Sequence, residues 1–250
     1  MTDQAVRPAR GRVWPIAVLA SRANIRQPMV YLTLAAMPLS YFLVFTMVAG
    51  RELGQHAFIG AAIAFTVTGG VVSLPQTVVL YRMRKIHHMV VASPIKPLTY
   101  FLGLSVSRLV YIAPPVLVVL TVFAFLGDRP LWRIVALLPA LLLAWMFGCS
   151  VGFAISRRWD NPAYIASTAN MIGYLLVLLP PVYYPMAMLP EWLQMPISVI
   201  PTASLAELMR AMAGLSDPSL MGWIGYSAVV LAVIGACVWY TSGDERWREP

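Results

Sequence analysis

The stretch Tyr183–Arg210 reads YYPMAMLPEWLQMPISVIPTASLAELMR and interrupts a chain that otherwise consists of long apolar runs. Pro190 can begin a helix because its missing N–H would have no partner in the first turn. Pro196 and Pro201 should then prevent that helix from continuing. The prolines therefore predict two short helices, neither of which is long enough to cross a bilayer.

The second short helix has its own start and stop signals. Ser204 and Glu207 match the S-x-x-E capping box, which predicts a helix that begins at Ser204. Gly214 predicts its end, because glycine readily adopts the left-handed conformation that closes many helices.

The rest of the chain has the composition of an integral membrane protein. Of its 250 residues, 60% are hydrophobic and only 11% are charged, whereas an ordinary soluble domain has about 25% charged residues. Because a helix satisfies its own backbone hydrogen bonds, we predict an all-α fold with a single transmembrane domain over residues 1–250. Six apolar segments are long enough to span: 29–49, 57–80, 100–126, 134–155, 164–184 and 220–240.

Residues 185–214 lie between the last two predicted spans. Two short helices placed there must dip partway into the membrane and return on the same side. We therefore predict a re-entrant extracellular hairpin that acts as a gate or lid. An ordinary surface loop is the alternative, and its apolar content makes it the poorer explanation.

The basic residues predict the orientation. Most Lys and Arg fall in the N-terminal segment, in the second and fourth links between spans, and after the last span. Those on the other side are only Arg51, Arg129, Arg133 and Arg210. Short cytoplasmic loops carry the positive excess, so both termini should be cytoplasmic in the cell membrane. The net charge of +8 thus reflects topology, and no nucleic-acid partner is needed to explain it.

Residues 13–27 precede the first span and are too short and too charged to cross. Their apolar residues recur at helical spacing, which predicts an interfacial helix on the cytoplasmic surface. A simple tethered tail is the alternative.

Charge inside the predicted spans is nearly absent. No Asp or Glu falls within them, and Arg108 is the one charged residue that does. Arg108 lies in the cytoplasmic third of its span, where snorkelling explains it better than a substrate role. Ion-driven carriers commonly place ionisable groups at membrane depth, so that class is disfavoured.

An enzyme is also disfavoured. The sequence GCSVG at 148–152 matches the G-x-S-x-G nucleophile pattern, but it lies within a span. The same residues spell G-x-x-x-G, which brings helix backbones close together, and we favour that packing role. His87 and His88 have no nearby acidic or Cys ligands, so no metal site is predicted. The chain has no G-x-x-x-x-G-K-[ST] motif and hence no ATPase site of that type.

Residues 81–99 form the longest predicted cytoplasmic loop and open with basic residues. The loop can fold as a short helix with an apolar face, on which a partner protein could dock. A positive-inside anchor without a partner is the alternative.

The order of these parts resembles the membrane subunits of type-2 ABC exporters, the permeases related to drug, polysaccharide and lipid-linked-sugar exporters. An interfacial helix, two spans, a coupling loop, three spans, a hairpin and a last span follow one another as in that family. The 81–99 loop keeps the Ser93–Pro94 pair but has basic residues where the family has acidic ones. The family's hairpin commonly reads Leu-Pro-x-Trp-Leu, then Pro, then Arg. Here its gate residues would be Pro185, Leu189, Pro190, Glu191, Trp192, Pro201, Glu207 and Arg210.

The resemblance implies a multidrug- or antibiotic-type permease without catalytic residues of its own. It implies a second permease subunit, identical or related, and ABC ATPase subunits that bind ATP and Mg. This chain itself would hold no cofactor. The ATPase-coupling residues would be Arg82, Arg84, Lys85, His87, His88, Met89, Ser93 and Pro94.

Polar and aromatic residues within the apolar spans are candidates for the wall of the pathway. They are Tyr41, Thr66, Ser73, Gln76, Thr77, Ser167, Asn170, Tyr174 and Tyr183. Helix packing is the alternative role for each of them. The spans lack a charged lining, which favours an amphiphilic or apolar substrate, such as a drug or antibiotic, over an ion. A lipid, glycolipid or polysaccharide exporter and a non-transporting membrane adaptor remain the alternatives.

Overall fold

The computed structural model describes residues 28–83, 97–127, 130–158 and 161–242, together with Val18. These residues form helices and no strands. The predicted interfacial helix at 13–27 lies outside the described residues except for Val18, and so does most of the 81–99 loop.

The first two helices meet at a single residue. Helical structure runs over Pro28–Met83, but Gly50 has φ 84° and ψ 172° and divides it into α1 (28–49) and α2 (51–83). That conformation is essentially restricted to glycine. At this corner an added Cβ on Gly54 would lie 3.2 Å from the Thr46 Cα, so the two helices touch. The link predicted at 50–56 is therefore only one residue long.

Helix α3 covers Pro97–Gly127 and contains Pro114 and Pro115. Between its two parts, Thr99–Val110 and Ile112–Phe125, it bends by 42°. A proline removes the hydrogen bond to the carbonyl four residues earlier and clashes with it. Here those carbonyls belong to Val110 and residue 111, so the two prolines explain the position of the bend.

Helix α4 covers Leu131–Arg158 and packs against α2. An added Cβ on Gly70 would lie 2.5 Å from the backbone of Gly148, and one on Gly152 would lie 2.5 Å from the Gly70 carbonyl. The two backbones are thus in direct contact, as the predicted G-x-x-x-G role requires. Ser150 is buried within α4 and donates a hydrogen bond of 2.9 Å to the Phe147 carbonyl, so it has no exposed elbow.

Helix α5 covers Pro162–Leu178 and is shorter than the predicted span 164–184. Its N-cap is Asn161, whose side chain accepts a hydrogen bond from the Ala163 N–H. The early end follows from Pro180 and Pro181, neither of which has an N–H to continue the helix. A 3-10 turn at Met186–Met188 follows.

Helix α6 covers Glu191–Ser198 and begins after Pro190 as predicted. The prediction that Pro196 stops this helix is wrong, because Pro196 lies inside it. In so short a helix the proline removes only the bond to the Trp192 carbonyl, and the helix ends two residues later.

Helix α7 covers Pro201–Ala213, so the predicted start at Ser204 is also wrong. Pro201 occupies the first turn and Ile200 is the N-cap, without a side-chain cap. Instead of capping α7, Ser204 donates a hydrogen bond of 2.6 Å to the Ser198 carbonyl. Gly214 closes the helix with φ 71°, which confirms the predicted stop.

Helix α8 covers Leu220–Ser242 and packs against α4 and α7, and its buried apolar residues are Val230 and Ile234. At its C-terminal end Arg157 of α4 donates to the Tyr240 carbonyl at 3.3 Å and also to the Thr241 carbonyl. A cation is favourable there because the last carbonyls of a helix are unpaired and negatively polarised.

Within the described residues, three helices are long and apolar enough to cross a membrane: Leu53–Met83, Trp132–Arg158 and Leu220–Thr241. The two parts of α3 would make a fourth if they form one bent span. Helix α5 is apolar but has only 17 residues. The count of six spans and the re-entrant hairpin stay predictions.

Candidate functional site

Helix α7 is the most deeply placed part of the segment between α5 and α8. Every residue from 202 to 210 is buried, whereas α6 has no buried residue. Helix α7 contacts α2, α4 and α8. A helix buried on all sides belongs to the interior of the bundle, so α7 does not behave as a surface loop.

One arginine holds this segment together. Arg210 has 0% of its surface exposed, and its Nη1 donates to Glu207 Oε1 at 2.7 Å. Its Nη2 donates to the Val182 carbonyl at 2.7 Å and to the Pro181 carbonyl at 3.0 Å. Glu207 Oε1 also accepts a hydrogen bond of 3.3 Å from the Met186 N–H. We call these five residues the arginine clamp.

The clamp satisfies groups that would otherwise be costly to bury. Pro181 and Val182 follow the end of α5, so their carbonyls have no helical partner. Burial lowers the pKa of Arg210, although the Glu207 carboxylate opposes that shift. A guanidinium nevertheless stays charged in proteins. Its fork can therefore bind one carboxylate and two carbonyls at once.

The clamped backbone also lies directly on α2. An added Cβ on Gly60 would clash with the Val182 carbonyl and lie 2.8 Å from the Tyr183 Cα. Thr202 at the start of α7 donates a hydrogen bond of 2.5 Å to the Leu176 carbonyl. The segment after α5 is thus held between Gly60 of α2 and Arg210 of α7.

A second arginine binds the C-terminal end of α7. Arg133 Nη1 donates to the Ala213 carbonyl at 3.3 Å, and its guanidinium lies 5.2 Å from the centre of the Trp132 ring. Both the helix dipole and the aromatic face favour a cation at this place. The end of α7 is therefore fixed to the beginning of α4.

Helices α2 and α5 pack antiparallel through small residues. Gly60 of α2 touches the backbone at Val182, whereas an added Cβ on Gly173 of α5 would lie 3.1 Å from Val72. This register brings two polar pairs to similar levels: Ser73 with Asn170, and Gln76 with Ser167. Helices α2 and α5 thus carry uncharged hydrogen-bonding groups at shared depths.

The match to known families decides the identity of this helical bundle. The family model of the ABC-2 type transporter matches residues 17–213, which include α1 to α7 and the arginine clamp. The chain belongs to the ABC-2 type transporter family. No curated protein matches it. Membership makes it a membrane-embedded transport permease of an ABC transporter and not the ATPase. It also implies an ABC ATPase partner and, as is usual in the family, a dimer.

The structure of this ABC-2 permease brings together some of the predicted gate residues. Glu207 and Arg210 meet in the clamp, Pro185 precedes the 3-10 turn, and Leu189 follows it. Pro190 and Pro201 stand at the starts of α6 and α7. Glu191 and Trp192 lie apart from the clamp on the exposed first turn of α6, where Trp192 is 74% exposed.

The predicted pathway residues differ in their exposure. Thr66 and Thr77 are buried, and Ser73 and Asn170 are half-buried. Each of these four side chains donates a hydrogen bond to the carbonyl four residues earlier in its own helix. The Thr77 hydroxyl also accepts a hydrogen bond from Arg108 of α3. These contacts fit helix packing. Tyr183 is half-buried and Tyr41 lies on α1, whereas three residues have exposed side chains: Gln76, Ser167 and Tyr174.

Of the predicted coupling residues, Arg82 lies half-buried in the last turn of α2. The others lie outside the described residues: Arg84, Lys85, His87, His88, Met89, Ser93 and Pro94.

Three participants at this site were missed from the sequence: Gly60, Arg133 and the carbonyls of residues 181–182. Arg133 was counted only as an extracellular charge. Its predicted place on the same side of the membrane as the helix end at Gly214 is the available signal for a capping role. The contact of Gly60 with Val182 is long-range and has no local signal.

Replacing Gly214 by Ala should loosen the end of α7. Its φ of 71° is left-handed, which costs a non-glycine residue about 1–2 kcal/mol. The added Cβ would also displace the Arg133 guanidinium and break its bond to Ala213. We expect a lower melting temperature of the purified permease in detergent.

Gly225→Ala in α8 is the matched control, since nothing lies within 4 Å of an added Cβ there. Alanine is the better helix former, so this variant should melt at or above the wild-type temperature. Equal melting temperatures for the two variants would contradict the assigned role of Gly214.

Proposed function

We propose that this ABC-2 permease is the membrane subunit of an ATP-driven exporter, with its hairpin segment (185–214) as an extracellular gate. The observation that carries the gate is the arginine clamp, which fixes this segment inside the bundle. Because the clamp binds this segment to the end of α5, a movement of one part would act on the other.

The two helices of the hairpin segment suit different parts of a gate. Helix α7 is buried and would hold the closed position through the clamp. Helix α6 is amphipathic and leaves Trp192 and Met195 74% and 81% exposed, which suits a surface that touches lipid, a second subunit or a passing substrate. Tryptophan is also favoured where a membrane meets water.

We propose that two copies, or this chain and a relative, enclose the pathway along α2 and α5. The exposed faces of these helices include Gln76 on α2 with Ser167 and Tyr174 on α5. Gln76 and Ser167 share a level, so two facing copies would place four uncharged polar groups around one section of the pathway. Such a wall has no fixed charge that would select an ion.

This chemistry favours an amphiphilic or apolar substrate, of the kind that includes drugs and antibiotics. The chain would then take part in multidrug efflux or antibiotic resistance. A lipid, glycolipid or polysaccharide is the second substrate class, since long amphiphiles would meet the same uncharged wall. A non-transporting adaptor is the alternative outside transport.

We place both termini in the cytoplasm, with the 13–27 helix and the 81–99 loop as the docking surface for the ATPase. Arg82 at the end of α2 begins that loop, so a shift of the loop would act directly on a wall helix of the proposed pathway. ATP and Mg would bind the partner ATPase, and this chain supplies no cofactor site.

The exporter proposal predicts that the chain, purified gently from its native membrane, carries a stoichiometric ABC ATPase. ATP hydrolysis by that complex should rise with added neutral amphiphiles, because substrate binding and ATPase closure are thermodynamically coupled. Mass spectrometry of the complex and a phosphate-release assay provide the two measurements.

A Walker-lysine variant of the ATPase is the control for contaminating hydrolysis. A chain that arrives without an ATPase would favour the adaptor. An ATPase that responds only to lipids or glycolipids would move the substrate to the second class.

A further inference from the structure

A groove that the proposed pathway does not use lies beside the part of α3 that follows its bend. Before the bend, α3 contacts α4 through Phe101 and Phe153, whose ring centres are 4.7 Å apart. After the bend, α3 stays on α2, where Phe123 stacks on Phe58 at 4.9 Å. A groove of about 540 Å³ lies between α3 and α4 in this half of the bundle.

The lining of this groove is apolar. It comes from both helices and from neither α2 nor α5, and includes Leu117, Leu120, Ala124, Phe125, Ile134 and Leu138. Its polar member, Thr121, donates to the Leu117 carbonyl at 2.7 Å. The hydroxyl proton of Thr121 is thus already used, and the other side chains of the lining offer water no hydrogen bond.

The position of the groove relative to the membrane can be read from the neighbouring residues. Trp132, which is 64% exposed, precedes Ile134 by two residues, and tryptophan favours the level where membrane meets water. The groove runs inward from there along residues 117–125 of α3, a helical length of about 12 Å. One leaflet contributes about 15 Å to the hydrocarbon core, which is similar to this length.

We propose that the groove is a binding site for one acyl chain of a membrane phospholipid. The groove is continuous with an exposed apolar surface of α3 and α4: Leu117 is 55% exposed, Phe125 83% and Val135 55%. Acyl chains of the surrounding leaflet therefore reach it without leaving the hydrocarbon. The site belongs to neither the proposed pathway nor the proposed gate. The proposed orientation is used only to assign the groove to the outer leaflet.

The groove is a consequence of the sequence. Pro114 and Pro115 explain the bend of α3 at residue 111, and the α3 side of the groove is the part of the helix that follows this bend. An acyl chain can fill the groove, so α3 and α4 do not have to be strained toward each other to close it.

The test uses the complete transporter in liposomes that contain a phosphatidylcholine with a photoactivatable diazirine on one acyl chain. After irradiation, labelled peptides are mapped by mass spectrometry. We expect labelling of residues 117–125 and 134–138 several-fold above that of exposed residues on α8, such as Leu231. Ala124→Phe should fill the groove and remove most of this excess, whereas Ala228→Phe on the exposed face of α8 should leave it unchanged.

Leu138→Phe, from the opposite wall, provides a second filling variant if Ala124→Phe does not accumulate. The proposal would be overturned if all lipid-facing helices were labelled to the same extent. It would also be overturned if both filling variants kept the excess labelling of the groove. Protection of the groove by a second copy, detected as a crosslink between Thr121→Cys chains, would also overturn it. None of these results depends on ATPase binding or export, so the exporter proposal can fail separately.

Discussion

Replacing Arg210 by Met should cause the largest loss of stability and of transport. The change leaves the buried Glu207 carboxylate without its cation and two carbonyls without a donor. Breaking a buried ion pair on one side costs about 3–5 kcal/mol, which is a large share of the stability of a typical protein. The measurements are accumulation in the membrane, melting temperature in detergent, and amphiphile-stimulated ATP hydrolysis.

Arg158→Met is the matched control, because Arg158 is exposed at the end of α4. Arg210→Lys keeps the charge but not the guanidinium fork, so it should fall between wild type and Arg210→Met. Combining Glu207→Gln with Arg210→Met should recover part of the loss, since no unpaired carboxylate remains. If the single variant Arg210→Met had the same melting temperature as the Arg158→Met control, the clamp would not hold the hairpin segment.

Replacing Gly70 by Leu should separate α2 from α4 and prevent the bundle from forming. Even a Cβ at this position would lie 2.5 Å from the Cys149 nitrogen and the Gly148 carbonyl carbon, which are backbone atoms that cannot rotate away. Overpacking a core costs about 1–3 kcal/mol where side chains can adjust, and more is expected here. Size-exclusion chromatography should show aggregation in place of a single peak.

Gly235→Leu in α8 is the control, because open space surrounds that glycine. It should accumulate and elute like the wild type. If Gly70→Leu is degraded, the milder variant Gly70→Ala can be measured in its place. Its melting temperature should still be lower than that of Gly235→Ala. A Gly70→Leu protein that elutes normally would contradict the close contact of α2 and α4.

The class of the fold could be predicted from composition, because apolar runs of span length leave few alternatives. Local signals also placed α6 after Pro190 and ended α7 at Gly214. The family was identified from the order of the parts and the Leu-Pro-Glu-Trp-Leu sequence, and the match over residues 17–213 confirms it.

The errors arose where one local signal competed with another. Ser204 and Glu207 have the spacing of a capping box, but Pro201 begins the helix a turn earlier. Glu207 was then free to pair with Arg210, three residues later on the same helix. Hydropathy likewise extended the fifth span to Tyr184, whereas the backbone chemistry of Pro180 and Pro181 ends α5 at Leu178.

The contacts of the candidate site could not be predicted because they join distant parts of the chain. Arg210 reaches carbonyls 28 and 29 residues away, and Arg133 reaches one 80 residues away. Backbone carbonyls have no side-chain identity, so no sequence pattern marks them as partners.

The ion pair of the clamp lies within a single helix, and this bears on how the gate could move. Glu207 and Arg210 would move together if α7 lifted from the bundle. Their hydrogen bonds to Pro181, Val182 and Met186 would break in that movement. Opening therefore never separates opposite charges inside the low-dielectric bilayer, where that separation is most costly. Movement of α7 alone would carry no net charge across the membrane, so in the proposed gate this movement should be almost independent of the membrane potential.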